Sequence, residues 1–94
     1  MKSVWVDSAL DDLDSAIIWL SDYDLNAALK LDDEVAQLVK LLEQFPFSGR
    51  PGRVDGTREA IAGNYVLVYR VTEAQLEILR FIHGAMQYPP DPSD

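Results

Sequence analysis

His83 is the only histidine in the chain, and there is no cysteine. Its imidazole is the one side chain here whose ordinary pKa lets it take up and release a proton near neutrality. Glu59 could act as its acid–base partner, and Arg58 or Arg80 could hold the charge that gathers on a pentacovalent phosphorus. These are nearly the parts needed for metal-free cleavage of RNA. Strand geometry works against assembling them. Neighbouring side chains on a strand point to opposite faces, so Arg58 and Glu59 cannot line one pocket unless the strand is distorted. The plainer roles are a strand-end cap for His83 and local ion pairs for the arginines, because isolated titratable residues are usually structural. No P-loop, dinucleotide fingerprint, nucleophile elbow or metal-ligand spacing occurs, so no cofactor and no metal site is expected.

These residues all lie after a hinge, Pro46–Glu59 (PFSGRPGRVDGTRE), where the pattern changes from helix to strand. The hinge holds three of the five glycines and three of the five arginines. Its prolines bar helix continuation and its glycines admit unusual backbone angles. It reads first as an ordered connector, with Arg50, Arg53 and Arg58 as candidates for contact with a target.

Ahead of the hinge, residues 1–7 contain a β-branched and aromatic strand signal, SVWV. Residues 8–45 form a helical hairpin. Ser8 is placed to cap its first helix, with Asp11 three residues on. Leu10, Leu13, Ile17 and Leu20 supply a buried stripe that Ala9 and Ala16 widen. After the polar break SDYD, Asp24 or Asn26 caps a second helix. Its stripe is Ala28, Leu31, Val35, Leu38, Leu42 and Phe45. Leu25, Leu29, Ala36, Val39 and Leu41 add apolar surface beyond that stripe, and Trp19 lies off the centre of the first, at a layer edge.

Residues 46–56 are the connector and 57–83 a three-strand meander. Gly63-Asn64 makes a two-residue turn that pairs Ala62 with Tyr65, and the turn at Thr72–Gln75 pairs Val71 with Leu76. Arg70 then faces Glu77 across two strands. Strict alternation puts Arg58, Ala60, Tyr65, Leu67, Tyr69, Ile78, Arg80 and Ile82 on one sheet face. Glu59, Ile61, Val66, Val68, Leu79, Phe81 and His83 fall on the other. Both faces are mixed, so the pattern leaves open which one meets the helices. Residues 84–94 end in YPPDPSD, an irregular tail. The fold class is α+β: one domain of two layers, an N-terminal strand and an antiparallel helical hairpin packed on a small curved antiparallel sheet.

The chain has 94 residues and a net charge of −8, unevenly spread. Residues 1–49 carry ten acids against three lysines, whereas 50–83 carry five arginines against four acids. Most of the surface repels phosphate, so direct specific nucleic-acid binding is not expected. No apolar run is long enough to span a membrane, and no leader-like segment opens the chain, which points to the cytoplasm.

Trp5, Ala9, Asp12, Leu13 and Ile17 form a W-x3-A-x2-DL-x3-I opening. GRPGRVDGTRE follows the hairpin, and then come YVLVYRV and ILRFIHG. In order and spacing this resembles the RelE/ParE superfamily of bacterial type II toxins, most of all its ParE branch. The resemblance covers roughly Val4 to Pro89. It implies a helical hairpin on a small antiparallel sheet, and a toxin silenced by an antitoxin whose disordered tail folds on it. The implied target is DNA gyrase in the ParE branch, and the implied outcome is growth arrest and stabilisation of a plasmid or chromosome. RelE-like members are instead ribosome-dependent mRNA endonucleases, for which Arg58, Arg80 and His83 would be the catalytic residues here. Positions where nuclease members carry basic residues fall on Ala60, Val66 and Gly84, which favours the gyrase branch. A third alternative is an inactive module that keeps only antitoxin docking. The target-binding candidates are Arg50, Arg53, Arg58, Arg80 and His83. The antitoxin candidates are Leu25, Leu29, Val39 and Trp19, in a hetero-oligomer.

Overall fold

Two amphipathic helices meet at a single residue. α1 (Asp7–Tyr23) and α2 (Leu25–Gln44) are separated only by Asp24, whose carboxylate accepts from the Asn26 and Ala27 N–H groups and so caps α2. The computed structural model describes residues 1–86 together with 88 and 89. α1 starts one residue earlier than its expected cap. Val6 is the N-cap and no side chain caps the helix, while the Ser8 hydroxyl donates to Leu79 O at 3.4 Å.

Five strands form one mixed sheet: β1 (Ser3–Trp5), β2 (Arg50–Pro51), β3 (Arg58–Ala62), β4 (Tyr65–Val71) and β5 (Leu76–His83), in spatial order β1-β5-β4-β3-β2. β3, β4 and β5 are the expected meander, with Ala62 opposite Tyr65, Val71 opposite Leu76 and Arg70 opposite Glu77. β1 adds parallel to β5, so the sheet is not wholly antiparallel. β2 is a short strand inside the expected connector, pairing with Arg58 and Glu59.

The helices cover one face. Ala9, Ala16, Leu31, Val35 and Leu42 pack there on Ala62, Leu67, Tyr69, Leu76, Ile78 and Phe81. Small residues take the centre of the α1 stripe, because Ala9 and Ala16 let the helix sit close to the sheet. Leu10, expected in that stripe, is instead 43 % exposed, and Phe45, expected to end the α2 stripe, is exposed after the helix. The other face carries a smaller cluster, Val66, Val68 and Ile82, with Tyr88 packed against it. Gln87 and residues 90–94 of the expected irregular tail lie outside the described residues.

One irregularity overturns the expected face assignment. Tyr69 pairs with Ile78 but Val68 pairs with Arg80, so Leu79 is an extra residue in β5. This bulge inverts everything after it. Phe81 lies opposite Leu67 in the main core, not beside Val66. Arg80 and Ile82 pass to the helix-free face, and His83 lies opposite Tyr65.

Candidate functional site

The hinge that carries most of the arginine folds around one carboxylate. Glu59 is 2 % exposed, on β3, and accepts from three N–H groups supplied by two arginines. Arg50 Nη2 donates to Oε1 at 3.0 Å. Arg53 donates to Oε2 twice, through its backbone N–H at 3.0 Å and its Nε at 3.1 Å. Burial pushes the Glu59 carboxyl up, but the bonds from Arg53 and Arg50 outweigh it and hold the group below the ordinary carboxylate range.

Two close approaches make the clamp possible. A methyl group at Gly52 would lie 2.1 Å from Thr57 Oγ1 and 3.0 Å from the Thr57 carbonyl. One at Gly49 would meet Tyr69 Oη at 2.4 Å and Glu59 O at 2.9 Å. Only glycine lets the chain pass at both points. The Tyr69 phenol, buried beneath them, donates to Pro46 O at 2.8 Å and accepts from the Gly49 N–H at 2.9 Å. Burial raises its pKa despite the Gly49 bond and nearby Arg58. The Arg58 guanidinium donates to Gly49 O at 2.8 Å and Phe47 O at 3.1 Å and lies over the Phe47 ring. Arg53 reaches outward over the ring of Tyr88.

The remaining candidates are dispersed. Arg80 leaves β5 toward the helix-free face, and its guanidinium reaches round the strand edge to α1, where Nε and Nη2 hold the Asp12 carboxylate at 2.7 and 3.2 Å. Asp12 also accepts from the Phe81 N–H at 2.9 Å, satisfying the edge of β5 that β1 does not reach. That bond to Asp12 holds the Arg80 pKa above its ordinary value. Asp12 stands in the W-x3-A-x2-DL-x3-I opening, but its tie to a residue 68 positions away has no local signal. His83 is exposed at the end of β5, its Nδ1 accepting from the Ala85 N–H and its ring edge-on to Tyr65.

Arg58 therefore pairs with Tyr69, Arg80 with Val68 and His83 with Tyr65. Arg58 and His83 are four residues apart along β4, about 13 Å at the strand rise. Arg80 occupies the opposite face. The structure does not bring these three side chains into one pocket, nor does it join Glu59 to His83.

Of the apolar candidates, Leu25, Leu29 and Trp19 are exposed, with Trp19 packed on Tyr23. Val39 is not part of that surface: it is half-buried against the main core, on the inward side of α2. Exposed apolar residues outside the expected set include Ile18 and Tyr23 on α1, Phe47 in the hinge and Ile61 on β3. Leu41, part of the apolar surface expected beyond the α2 stripe, is exposed, the open counterpart of half-buried Leu38. Among the described residues no helix is long and apolar enough to cross a membrane.

The model of the family described as "ParE toxin of type II toxin-antitoxin system, parDE" matches residues 4–88. A curated candidate toxin, Y4kP of Sinorhizobium fredii, is 33 % identical over 87 residues, which are 90 % of each chain. Among solved structures, a chain of the chromosomal ParDE system of P. aeruginosa superposes with a TM-score of 0.78 at 27 % identity, covering 88 % of this chain and 95 % of that one. A chain of the RelBE2 toxin–antitoxin complex of Mycobacterium tuberculosis gives 0.56 at 26 % identity, covering 87 % and 95 %.

Proposed function

The chain belongs to the ParE toxin family of type II toxin–antitoxin systems, within the RelE/ParE superfamily, and from that premise we propose that it arrests growth by binding DNA gyrase and that a cognate antitoxin silences it. The observation that supports this over ribosome-dependent mRNA cleavage is the dispersal of Arg58, Arg80 and His83. A general acid–base group and a phosphorane-stabilising cation must reach the same phosphate at hydrogen-bonding distance. Here they lie on two faces and at two ends of the sheet. The net charge of −8 supports the same choice, since docking on ribosomal RNA draws its affinity from neutralised phosphates.

Contact with a protein target falls to the cations that remain open. Arg50 and Arg53 keep 59 % and 39 % of their side chains exposed while bound to Glu59, so the clamp orients them outward as a fixed pair. Fixed, half-exposed arginines are well suited to a protein interface because little rotamer freedom is left to lose. The solved relatives from P. aeruginosa and M. tuberculosis are toxin–antitoxin systems, which supports an antitoxin partner for this chain and a hetero-oligomer with it.

The reading is tested by expressing the chain in a bacterial host while following plasmid topology and message integrity together. Growth arrest with relaxed plasmid and intact messages is the expected result. Arrest with cut messages and normal supercoiling would replace it with the endonuclease.

A further inference from the structure

Among the described residues, Arg58 is the one arginine without a carboxylate partner. Arg50 and Arg53 share Glu59, Arg70 holds Glu77 and Arg80 holds Asp12. Arg58 thus stands apart in a chain with sixteen acids. Its bonds to Phe47 O and Gly49 O both leave from Nη1. Its Nε and Nη2 have no partner among the described residues, and no side-chain nitrogen there is buried without one, so this edge of the guanidinium opens to solvent. The same Nε–Nη2 edge is the one with which Arg80 grips Asp12.

Aromatic surface frames this fork. The Arg58 guanidinium lies over the Phe47 ring, 5.1 Å from its centroid. Phe45 and Phe47 flank Pro46, are 60 % and 65 % exposed, and line one open concavity. The segment that carries them is pinned: Tyr69 holds Pro46 O and the Gly49 N–H, and Arg58 holds Phe47 O. The Phe47 backbone and the fork are therefore fixed before a partner arrives, which lowers the ordering cost of binding.

A rigid arginine fork beside exposed aromatic rings has the composition of a protein-binding hot spot. Its open edge is complementary to a carboxylate, which it can hold by two parallel bonds. Phosphate would fit the same edge, but a net charge of −8 opposes a polyanion and tolerates a single acidic side chain. Resting on the gyrase reading, we propose that Arg58, Phe45 and Phe47 form the centre of the target contact. Arg58 takes an acidic side chain of gyrase on Nε and Nη2, and an apolar neighbour of that acid packs on the two rings. Arg50 and Arg53, already neutralised by Glu59, lie outside that centre.

The test measures the concentration of full-length chain that half-inhibits gyrase supercoiling. Phe47→Ser, at an exposed position that leaves the fold intact, should raise it about thirtyfold, the scale of one aromatic hot spot. Arg58→Lys keeps the charge but loses the fork, and should raise it about tenfold. Phe47→Trp keeps an aromatic face for Arg58 and should stay within about threefold of wild type. Ile18→Ser removes an equally exposed apolar side chain from α1 and should also stay within about threefold. Affinity for the antitoxin encoded beside the chain should be the same for Phe47→Ser as for wild type. If wild type inhibits gyrase and either Phe47→Ser or Arg58→Lys inhibits as well, the site is overturned and the gyrase reading stands. If wild type does not inhibit, both fall. A Phe47→Ser loss of antitoxin affinity as large as its loss of inhibition would assign the rings to the antitoxin and overturn the proposal. Binding of a labelled single-stranded RNA that Arg58→Lys abolishes would assign the fork to phosphate and overturn it too.

Discussion

Arg53 holds Glu59 by two bonds to one carboxylate oxygen, from its backbone N–H and from its guanidinium Nε. The loop is thereby fixed at the backbone, and the charge that fixes it is buried. The hinge thus has a physical reason for its composition: two glycines for close passage, two arginines for one carboxylate, and a third arginine for the carbonyls of Phe47 and Gly49.

Removing the carboxylate should therefore loosen the whole hinge. Glu59→Gln keeps the shape but loses charge-assisted bonds to both arginines, at a cost of about 1.5–3 kcal/mol. Urea unfolding at pH 7 measures it. A midpoint unchanged from wild type would show that the clamp contributes nothing.

The same carboxylate sets a pH dependence. Its folded pKa is depressed, so its contribution is present above the unfolded carboxylate value of about 4.3 and is lost as pH falls through the folded value. The stability gap between wild type and Glu59→Gln should be constant near neutrality and close below about pH 4. Urea midpoints from pH 7 to pH 3 would show it. Glu77 is depressed too, by Gln75 and Arg70, but at the surface it should add little.

Much of this architecture is legible in the sequence, because its signals are local. Gly63-Asn64 and Thr72–Gln75 fix the meander register, and the opposition of Arg70 and Glu77 follows from those turns. The Asp24 cap is equally local. What escapes is non-local or unmarked. Leu79 bulges out of LEILRFIH, a run with no glycine or proline to signal it, and that one residue carries Arg80 away from the face of Arg58. β2 is two residues long and contains a proline, so only its partner strand defines it. Ala9 outranks Leu10 at the helix–sheet contact because closeness of approach, not hydrophobicity, decides that position. The candidate site was legible as composition but not as geometry, since the partners of Glu59 and Asp12 depend on the closed fold.

The close passage at Gly52 gives a second handle on the hinge. Gly52→Ala puts a methyl group against Thr57, including its backbone, and should destabilise by about 1–3 kcal/mol. Gly56→Ala has open space, although the positive φ of 83° there favours glycine, so its cost should be nearer 1 kcal/mol. Thermal unfolding of the two variants should rank them in that order.

Asp12 and Arg80 should be coupled through a pair that is mostly shielded from water. A double-mutant cycle of Asp12→Ala and Arg80→Ala should return about 1 kcal/mol or more of interaction energy. Asp12→Ala should be the worse single change, because it also strips the Phe81 N–H of its acceptor. Equal single effects with no coupling would mean the edge of β5 is held by something else.

His83 lies alone at a strand end, and His83→Ala should leave growth arrest intact. Toxicity in an inducible strain checks this directly, and its loss would return the histidine to a catalytic role.

The gyrase assignment is tested most directly in vitro. Relaxed plasmid is incubated with gyrase and ATP while the purified chain is titrated to micromolar concentration, alone and premixed with its antitoxin. The account predicts that supercoiling falls with added chain and returns when the antitoxin is present. Full supercoiling at micromolar chain, with gyrase active in the control, would contradict it.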